Sequence, residues 1–265
     1  MSDLELALHL AELSDRISTA RFQAVDLEVE TKPDLTPVSD ADRAIEEAIR
    51  KVVAIARPND QIVGEEFGSG DKSGRYWVID PIDSTKNFVR GVPVWATLIA
   101  LMDRSDVLIG VVSAPALFRT WHASKDGGAH LIVKGESPRR LQVSRVRALE
   151  HASLSISTFA SPTTGNRNDG WGARHSGLLK LAEKVWRTRA YGDFWSHLLV
   201  AEGAVDCALE PKLALWDMAP LAIIVQEAGG RFTDFDGNDG PNGANGVSSN
   251  GLLHPEILEF FGDYP

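Results

Sequence analysis

The sequence predicts a mixed α and β fold built from two differently organised halves of one compact unit. Three observations support it: an opening pair of amphipathic helix patterns, a series of β-rich apolar segments up to about residue 145, and a regular alternation of strand and helix patterns beyond it. A chain of 265 residues can bury a sizeable core and suits one large domain or two closely packed subdomains. We place the boundary between residues 1–145 and residues 146–265.

The first half is expected to contain a helix pair followed by an antiparallel sheet. Leucine and isoleucine positions spaced among charges predict a helix over residues 3–24, and Ser39 or Asp40 can cap a second helix after Pro37. A polar loop is expected over residues 68–74. Strands are predicted at 61–64, 76–79, 95–102, 107–114 and 119–123, with 131–133 and 141–143 continuing the sheet.

The second half alternates strand and helix patterns, which predicts a partly parallel sheet covered by helices. Its strands are expected at 153–158, 186–190 and 205–209, and its helices at 173–184, 194–203 and 217–228. Residues 234–246 are rich in Gly, Asn and Asp, and they predict a loop. The single cysteine, Cys207, lies in an apolar strand pattern and is expected in the core.

The charge and the composition limit the partners that we expect. The formal net charge is −10, so nucleic acid and anionic membranes would repel the chain and neither is expected as a partner. No apolar run approaches the ~20 residues that span a bilayer, and the N-terminal residues lack the pattern of a signal peptide. One cysteine allows no intrachain disulfide, which fits a reducing cytoplasm. We therefore expect a cytoplasmic protein.

Asp80 and Asp83 carry the strongest chemical signal. They directly follow an apolar strand, which should end there because Pro81 cannot donate to a sheet ladder. Two hard oxygen ligands on a rigid turn suit Mg²⁺, and the Ile82 carbonyl offers a further oxygen. A helix that starts at Ser84 would present free N–H groups to an anion, so metal and phosphate could meet at one place. A solvated turn with a helix cap is the alternative for the same pattern.

Three further acids follow patterns that could bring them to the same place. Glu65 follows a strand-like run, Asp217 precedes an apolar helical segment, and Asp42 lies in the first turn of the second helix. Each has an ordinary alternative: a surface loop for Glu65, an N-cap for Asp217 and the helix dipole for Asp42. Two carboxylates ~5 Å apart repel by roughly 3 kcal/mol at an effective dielectric constant of about 20, so a cluster of them requires bound cations.

In their order and spacing, these segments resemble the inositol monophosphatase superfamily of metal-dependent phosphatases. The matching segments are 34–42, 64–66, 77–88, 216–221, 227–230 and 249–251, which together extend over nearly the whole chain. The resemblance implies an αβαβα sandwich, a homodimer and the hydrolysis of a small-molecule phosphate ester. It implies that two or three Mg²⁺ ions bind to Glu65, Asp80, Asp83, Asp217 and the carbonyl of Ile82.

The resemblance also implies which residues act on water. Thr85 and Asp42 would orient the attacking water and help to deprotonate it, and Glu65 counts among the catalytic residues as well as the metal ligands. At one position the chain departs from the family pattern, since Ser84 stands where the family usually has glycine. If that position requires a positive φ, serine is strained there; in an ordinary first turn of a helix it is harmless and can cap.

The leaving group is expected to be recognised by the second half of the chain. Inositol monophosphatases usually carry small residues after the glycine that matches Gly192, whereas this chain has Asp193 followed by Phe194 and Trp195. Glu210 matches a substrate-contacting acid of the family. An acid that binds no metal is a poor neighbour for phosphate and a good one for a cation. An N-cap role is the alternative for Asp193, and core packing is the alternative for the two aromatic residues.

Together with segments 83–88 and 199–206, segment 192–195 resembles the histidinol-phosphatase branch of the superfamily. Histidinol phosphate carries an ammonium group and an imidazole, which suits a site with extra acids, and its hydrolysis belongs to histidine biosynthesis. An inositol or broad sugar-phosphate phosphatase is the alternative enzyme, and a non-catalytic metal-binding regulator is the alternative of another class. The residues expected to bind the substrate are Ser84, Thr85, Asp193, Glu210 and Asp217.

Overall fold

The computed structural model describes residues 1–33, 35–158 and 171–262. The helices are α1 (Asp3–Arg21), α2 (Asp40–Ala56), α3 (Thr85–Val89), α4 (His175–Lys184), α5 (Asp193–Ala201), α6 (Leu215–Glu227) and α7 (His254–Glu259). The strands of the first half are β1 (Val29–Thr31), β2 (Pro37–Ser39), β3 (Gln61–Gly64), β4 (Gly68–Ser69), β5 (Arg75–Asp83), β6 (Ala96–Asp103), β7 (Asp106–Ala114), β8 (Arg119–Ser124), β9 (Gly128–Val133) and β10 (Arg139–Arg140). Those of the second half are β11 (Ser153–Ile156), β12 (Arg187–Arg189), β13 (Cys207–Glu210), β14 (Arg231–Thr233) and β15 (Gly246–Ser249).

The outermost layer is the predicted pair α1 and α2. Ser2 and Glu5 cap α1 reciprocally, each accepting a hydrogen bond from the backbone N–H of the other, which fixes where the helix begins. The predicted cap of α2 is also confirmed, at Ser39. The centres of the apolar faces of both helices are fully buried against one side of the larger sheet, where they pack on Trp77 and Ile79, and the edges of these faces are partly buried. This burial supplies most of the stability of such amphipathic helices.

The larger sheet has the strand order β10-β9-β8-β7-β6-β5-β3-β4. Its pairs are antiparallel except β3 with β5, so the predicted meander is confirmed. The strand predicted at 141–143 is wrong. The Leu141 N–H still donates to Ala129, but the Val143 N–H donates to Ala228, because the chain leaves the sheet there and crosses to the end of α6. A two-residue strand, β4, also lies within the predicted polar loop.

The predicted end of β5 at Pro81 is wrong as well. The strand continues to Asp83, and its register against β6 shifts between Asp80 and Asp83. This irregularity accommodates the missing N–H of Pro81, as bulges do for proline within sheets. The Thr97 hydroxyl donates to the Pro81 carbonyl at 2.8 Å and holds the irregular segment in place. Both aspartates therefore belong to the strand itself.

The smaller sheet has the order β12-β11-β13-β15-β14 and is partly parallel, as predicted. Strand β11 pairs in parallel with β12 and β13, whereas β15 pairs antiparallel with β13 and β14. Helices α5 and α6 lie between the two sheets and share one apolar core with both. Helices α4 and α7 cover the outer face, where Cys207 is fully buried in a third core. The layer order is αβαβα, which the resemblance implies.

The sequence patterns did not predict several short elements, among them the β1–β2 hairpin, β14, β15 and α7.

The central core joins residues on both sides of residue 145, and the subdomain boundary there stays a prediction. Asp34, the first residue of one matching segment, lies outside the described residues. Among the described residues, no helix has both the length and the apolar content needed to cross a membrane.

Candidate active site

Three carboxylates converge where the end of β5 meets the start of α6. Asp80, Asp83 and Asp217 each offer an oxygen atom, and these atoms all lie within 4.8 Å of one another. Asp217 sits in the first turn of α6, where its Oδ2 accepts a hydrogen bond from the Ala214 N–H at 2.7 Å. Asp217 therefore caps helix α6, which was the alternative interpretation, and it also belongs to the carboxylate cluster.

Burial and mutual repulsion make these acids hard to ionise. Asp80 is 2% exposed, and its Oδ1 has no hydrogen-bond donor among the residues that the structure describes. Burial, with the charges of Glu65, Asp83 and Asp217, raises the pKa of Asp80 well above its usual range. Burial also raises the pKa of Asp83, and the charge of Asp193 raises it further. Burial raises the pKa of Asp217 to about 7, although the hydrogen bond from the Ala214 N–H lowers it. A cation would relieve this repulsion, as the spacing of the acids predicts.

Glu65 lies beside this cluster, on the turn after β3. It is not one of the three acids within 4.8 Å of one another, although its charge raises the pKa of both Asp80 and Asp217. Its Oε1 accepts a hydrogen bond from Lys32 Nζ at 2.7 Å, and Lys32 also contacts Glu66 at 2.5 Å. Sequence reasoning missed Lys32, because the ion pair joins residues 33 positions apart and no local pattern marks it.

A second missed residue, Glu46, holds the turn that carries Glu65. Its fully buried carboxylate accepts the N–H of Glu66 at 2.8 Å and that of Phe67 at 3.3 Å. It sits against Gly64, where an added Cβ would come within 1.9 Å of Glu46 Oε1. One signal was available in the sequence: Glu46 lies on the apolar face of α2, where an acid requires a partner.

Thr85 and Asp42 are brought together, as the resemblance implies. The Thr85 hydroxyl lies 2.9 Å from the Ile82 carbonyl oxygen and 3.5 Å from Asp42 Oδ1. Asp42 Oδ2 accepts both the N–H and the hydroxyl of Ser39, at 2.8 and 2.6 Å. Burial raises the pKa of Asp42 to about 6, with a smaller contribution from nearby glutamates. Of the two carboxylate oxygens of Asp42, Oδ2 is hydrogen-bonded to Ser39 and Oδ1 faces Thr85.

Ser84 has a positive φ, so the strained alternative holds. Its backbone is left-handed, at φ 65° and ψ 43°, and its side chain caps no helix. The hydroxyl instead donates to Asp193 Oδ2. Helix α3 does begin at Thr85, but it has only five residues, so its dipole attracts an anion weakly. The predicted anion site at this helix end stays a prediction.

The acids expected to recognise the leaving group lie next to one another. Glu210, at the end of β13, is 4% exposed, and its Oε1 has no hydrogen-bond donor among the described residues. Burial, then the charge of Asp193, raises the pKa of Glu210 well above its usual range. Phe194 is buried against Trp121 with ring centroids 6.2 Å apart, which makes it a core residue. Trp195 is half-buried and packs against Tyr191.

Comparisons with known proteins identify the family of this chain. The sequence profile of the inositol monophosphatase family matches residues 4–264. A histidinol-phosphatase from Mycobacterium tuberculosis is 53% identical over 260 residues, which cover 97% of this chain and 96% of that protein. A histidinol-phosphatase from Streptomyces coelicolor is 52% identical over 264 residues, covering 98% and 97%.

Solved structures agree as well. An inositol monophosphatase (IMPase) from Thermotoga maritima superposes with a TM-score of 0.84 at 31% identity, covering 98% of this chain and 96% of that one. The suppressor protein SuhB from Bartonella henselae gives a TM-score of 0.86 at 27% identity, with 98% of each chain covered. The predicted fold and the predicted phosphatase activity are thereby confirmed, and this chain belongs to the inositol monophosphatase family, within its histidinol-phosphatase branch.

Proposed function

We propose that this phosphatase hydrolyses histidinol phosphate to histidinol and phosphate, as a step of histidine biosynthesis, with Mg²⁺ at its carboxylate cluster. The observation that supports the substrate is a pair of acids, half-buried Asp193 and buried Glu210, beside the cluster but not part of the group that converges within 4.8 Å. The names of the two relatives above 50% identity support the same substrate. A homodimer and a cytoplasmic location stay predictions.

The residues present fit a hard divalent cation. Carboxylate oxygens are the ligands that Mg²⁺ prefers, and Asp80 Oδ1 is a buried oxygen with no donor from the described part of the chain. Asp80, Asp83 and Asp217 would hold the metal, with Glu65 and the Ile82 carbonyl as further ligands. Bound Mg²⁺ supplies positive charge that activates water and neutralises the developing charge on phosphate. The number of ions, two or three, is part of the proposal.

Thr85 and Asp42 would prepare the attacking water. The Thr85 oxygen can accept a hydrogen bond from water while its own proton points to the Ile82 carbonyl or to Asp42 Oδ1. Asp42, with a pKa of about 6, can take up a proton near neutral pH, which suits a general base. The two Ser39 donors fix the Asp42 carboxylate, so that Oδ1 stays directed at Thr85.

Asp193 and Glu210 would bind the cationic end of the leaving group. Glu210 Oε1 has no donor among the described residues, and an ammonium or imidazolium N–H would provide one. A hydrogen bond to a charged group contributes roughly 1.5–3 kcal/mol. Inositol phosphate offers hydroxyl groups only and would leave at least one of the two acids without a matching charge. The same residues therefore discriminate against it.

Phosphate release from a panel of esters tests the proposal. The panel consists of histidinol phosphate, inositol 1-phosphate and fructose 1,6-bisphosphate, each with Mg²⁺ and with excess chelator. We expect the highest kcat/KM on histidinol phosphate and no turnover in chelator. A preference for inositol 1-phosphate would favour the alternative enzyme, and metal binding without turnover on any ester would favour the regulator.

A further inference from the structure

Two of the positions at which the chain departs from the family pattern, Ser84 and Asp193, lie against each other. They are 109 residues apart in the chain, and the Ser84 hydroxyl donates to Asp193 Oδ2. The residues next to them are also in contact, since the Phe194 N–H donates to Asp83 Oδ2 at 3.0 Å. Two hydrogen bonds, one in each direction, therefore join the end of β5 to the first turn of α5.

The backbone at both positions is one that glycine adopts more easily. Ser84 has φ 65°, and Asp193 has φ 47°. A Cβ is unfavourable in this left-handed region, which glycine occupies freely. Strained residues of this kind persist where their surroundings fix them, and they concentrate at functional sites. At position 84 the feature that glycine could not supply is the hydroxyl group that donates to Asp193.

The Asp193 carboxylate stands among other acids and needs a donor to stay there. Burial and the charge of Asp193 raise the pKa of both Asp83 and Glu210, so these carboxylates repel one another when ionised. Burial raises the pKa of Asp193 itself, whereas the Ser84 hydrogen bond and the charge of exposed Lys86 lower it. If the Ser84 hydroxyl were removed, the carboxylate would be free to turn away from Asp83.

We infer that Ser84 is a positioning residue for substrate selectivity, whose hydroxyl holds the Asp193 carboxylate towards a cationic leaving group. The inference rests on the proposed function, in which Asp193 recognises an ammonium or imidazolium group. It replaces the direct contact with substrate that the sequence predicts for Ser84, because the hydroxyl proton is directed at Asp193. Ser84 and Asp193 then act together in substrate selectivity, and neither residue alone favours the cationic leaving group.

A double-mutant cycle tests this. We would measure kcat/KM on histidinol phosphate and on inositol 1-phosphate for wild type, Ser84→Ala, Asp193→Asn and the double variant. Ser84→Ala should lower kcat/KM on histidinol phosphate about tenfold, chiefly through KM, and on inositol 1-phosphate by less than about threefold. In the Asp193→Asn background, Ser84→Ala should have little further effect, since the two residues act together.

Two further variants separate the hydroxyl from the backbone and from general stability. Ser84→Gly also lacks the hydroxyl but suits the positive φ, so it should show the same loss of selectivity with an equal or higher melting temperature. It keeps the test decisive if Ser84→Ala folds poorly. Ser113→Ala is the matched control, because Ser113 donates to Asp15 at 2.8 Å outside the site. It should leave the ratio of the two kcat/KM values unchanged.

The outcomes distinguish this inference from the proposed function. Equal losses on both esters, or an undiminished loss in the Asp193→Asn background, would overturn the role of Ser84 alone. The same holds if wild type prefers histidinol phosphate and both Ser84 variants keep that preference. A wild-type preference for inositol 1-phosphate would overturn the proposed function, and the inference with it.

Discussion

The phosphate side of the site (Asp80, Asp83 and Asp217) and its leaving-group side (Asp193 and Glu210) both consist of buried and half-buried acids, but the spacing of the acids differs. On the phosphate side the oxygen atoms crowd within 4.8 Å of one another. Donors occur on both sides, because Asp83 and Asp217 each accept one backbone N–H, and Asp193 accepts the Ser84 hydroxyl.

Each side also has one buried carboxylate oxygen without a donor among the described residues, Asp80 Oδ1 and Glu210 Oε1. Among crowded acids, a shared cation both satisfies such an oxygen and offsets the repulsion. Outside the crowded group, a single N–H from the substrate is sufficient. The difference indicates that burial of acids alone does not identify their ligand, and that their spacing does.

The largest expected effect is at the phosphate side. Asp83→Asn keeps an acceptor for the Phe194 N–H but removes one charge from the cluster. We expect kcat to fall at least about a hundredfold, as when a preorganised charged group is removed from an active site, while the chain still folds. Phosphate release and the melting temperature would be measured together. Near-normal turnover with weak metal binding would show that Asp83 is dispensable and would break the comparison.

The leaving-group side should respond selectively. Glu210→Gln keeps the shape of the side chain and removes its charge. We expect kcat/KM on histidinol phosphate to fall about ten- to a hundredfold, the range for a charge-assisted hydrogen bond. An ester of an uncharged alcohol should lose far less, and the ratio of the two losses is the measurement. Equal losses would mean that Glu210 supports the structure and does not read the charge of the substrate.

Thr85 belongs to the phosphate side by contact but should differ from the metal ligands in its kinetics. Thr85→Ala removes the hydroxyl that lies between the Ile82 carbonyl and Asp42. We expect kcat to fall about tenfold, equivalent to ~1.4 kcal/mol, with KM nearly constant. Steady-state kinetics on histidinol phosphate check this, and Thr85→Ser serves as the conservative control. A raised KM with kcat intact would make Thr85 a binding residue only.

The smallest expected effect is on stability against pH. Asp217 and Asp42 have folded pKa values of about 7 and 6, above their unfolded values, so the folded chain retains more protons between roughly pH 4 and 7. In chelator, stability should therefore fall as pH rises through this window, and Mg²⁺ should reduce the fall. Melting temperatures at pH 5.5 and 8 should differ by several degrees, since ~1 kcal/mol corresponds to roughly 2–4 °C in a chain of this size.

Asp15 provides the control for this measurement. Burial raises its pKa to about 6 as well, but it lies on α1 and pairs with Ser113, outside the site. Asp15→Asn should reduce the pH dependence by the same amount with and without Mg²⁺. If Mg²⁺ left the pH dependence of the wild type unchanged, the phosphate side would not be the metal-sensitive part of the molecule.

The sequence alone predicted most of the layers, because apolar periodicity marks each long helix and strand. The prediction failed where contacts between residues far apart in the chain decide where a strand ends. The chain leaves the sheet after Leu141, and Val143 then donates to Ala228, whereas Pro81 stays within β5 because a bulge accommodates it. No pattern within a short window carries either contact.

In the candidate site, too, the sequence pattern and the long-range contacts contribute differently. The pattern singled out Asp80 and Asp83, but three positions apart on a regular strand they would point to opposite faces. The irregularity between them, which the pattern did not predict, allows their oxygen atoms to converge. Lys32, Glu46 and the contact of Ser84 with Asp193 depend on segments that meet only in the folded chain. Of these, only Glu46 left a local trace, as an acid on an apolar helix face.

Glu46 and Gly64 have a consequence for how this chain can vary. The Glu46 carboxylate occupies the space that any side chain at position 64 would need, and it also holds the turn beside Glu65. A side chain at position 64 would push the Glu46 carboxylate away from the two N–H groups that it accepts, and a smaller residue at position 46 would remove the same acceptor. A change at either position would therefore reach the active site through the turn that they share.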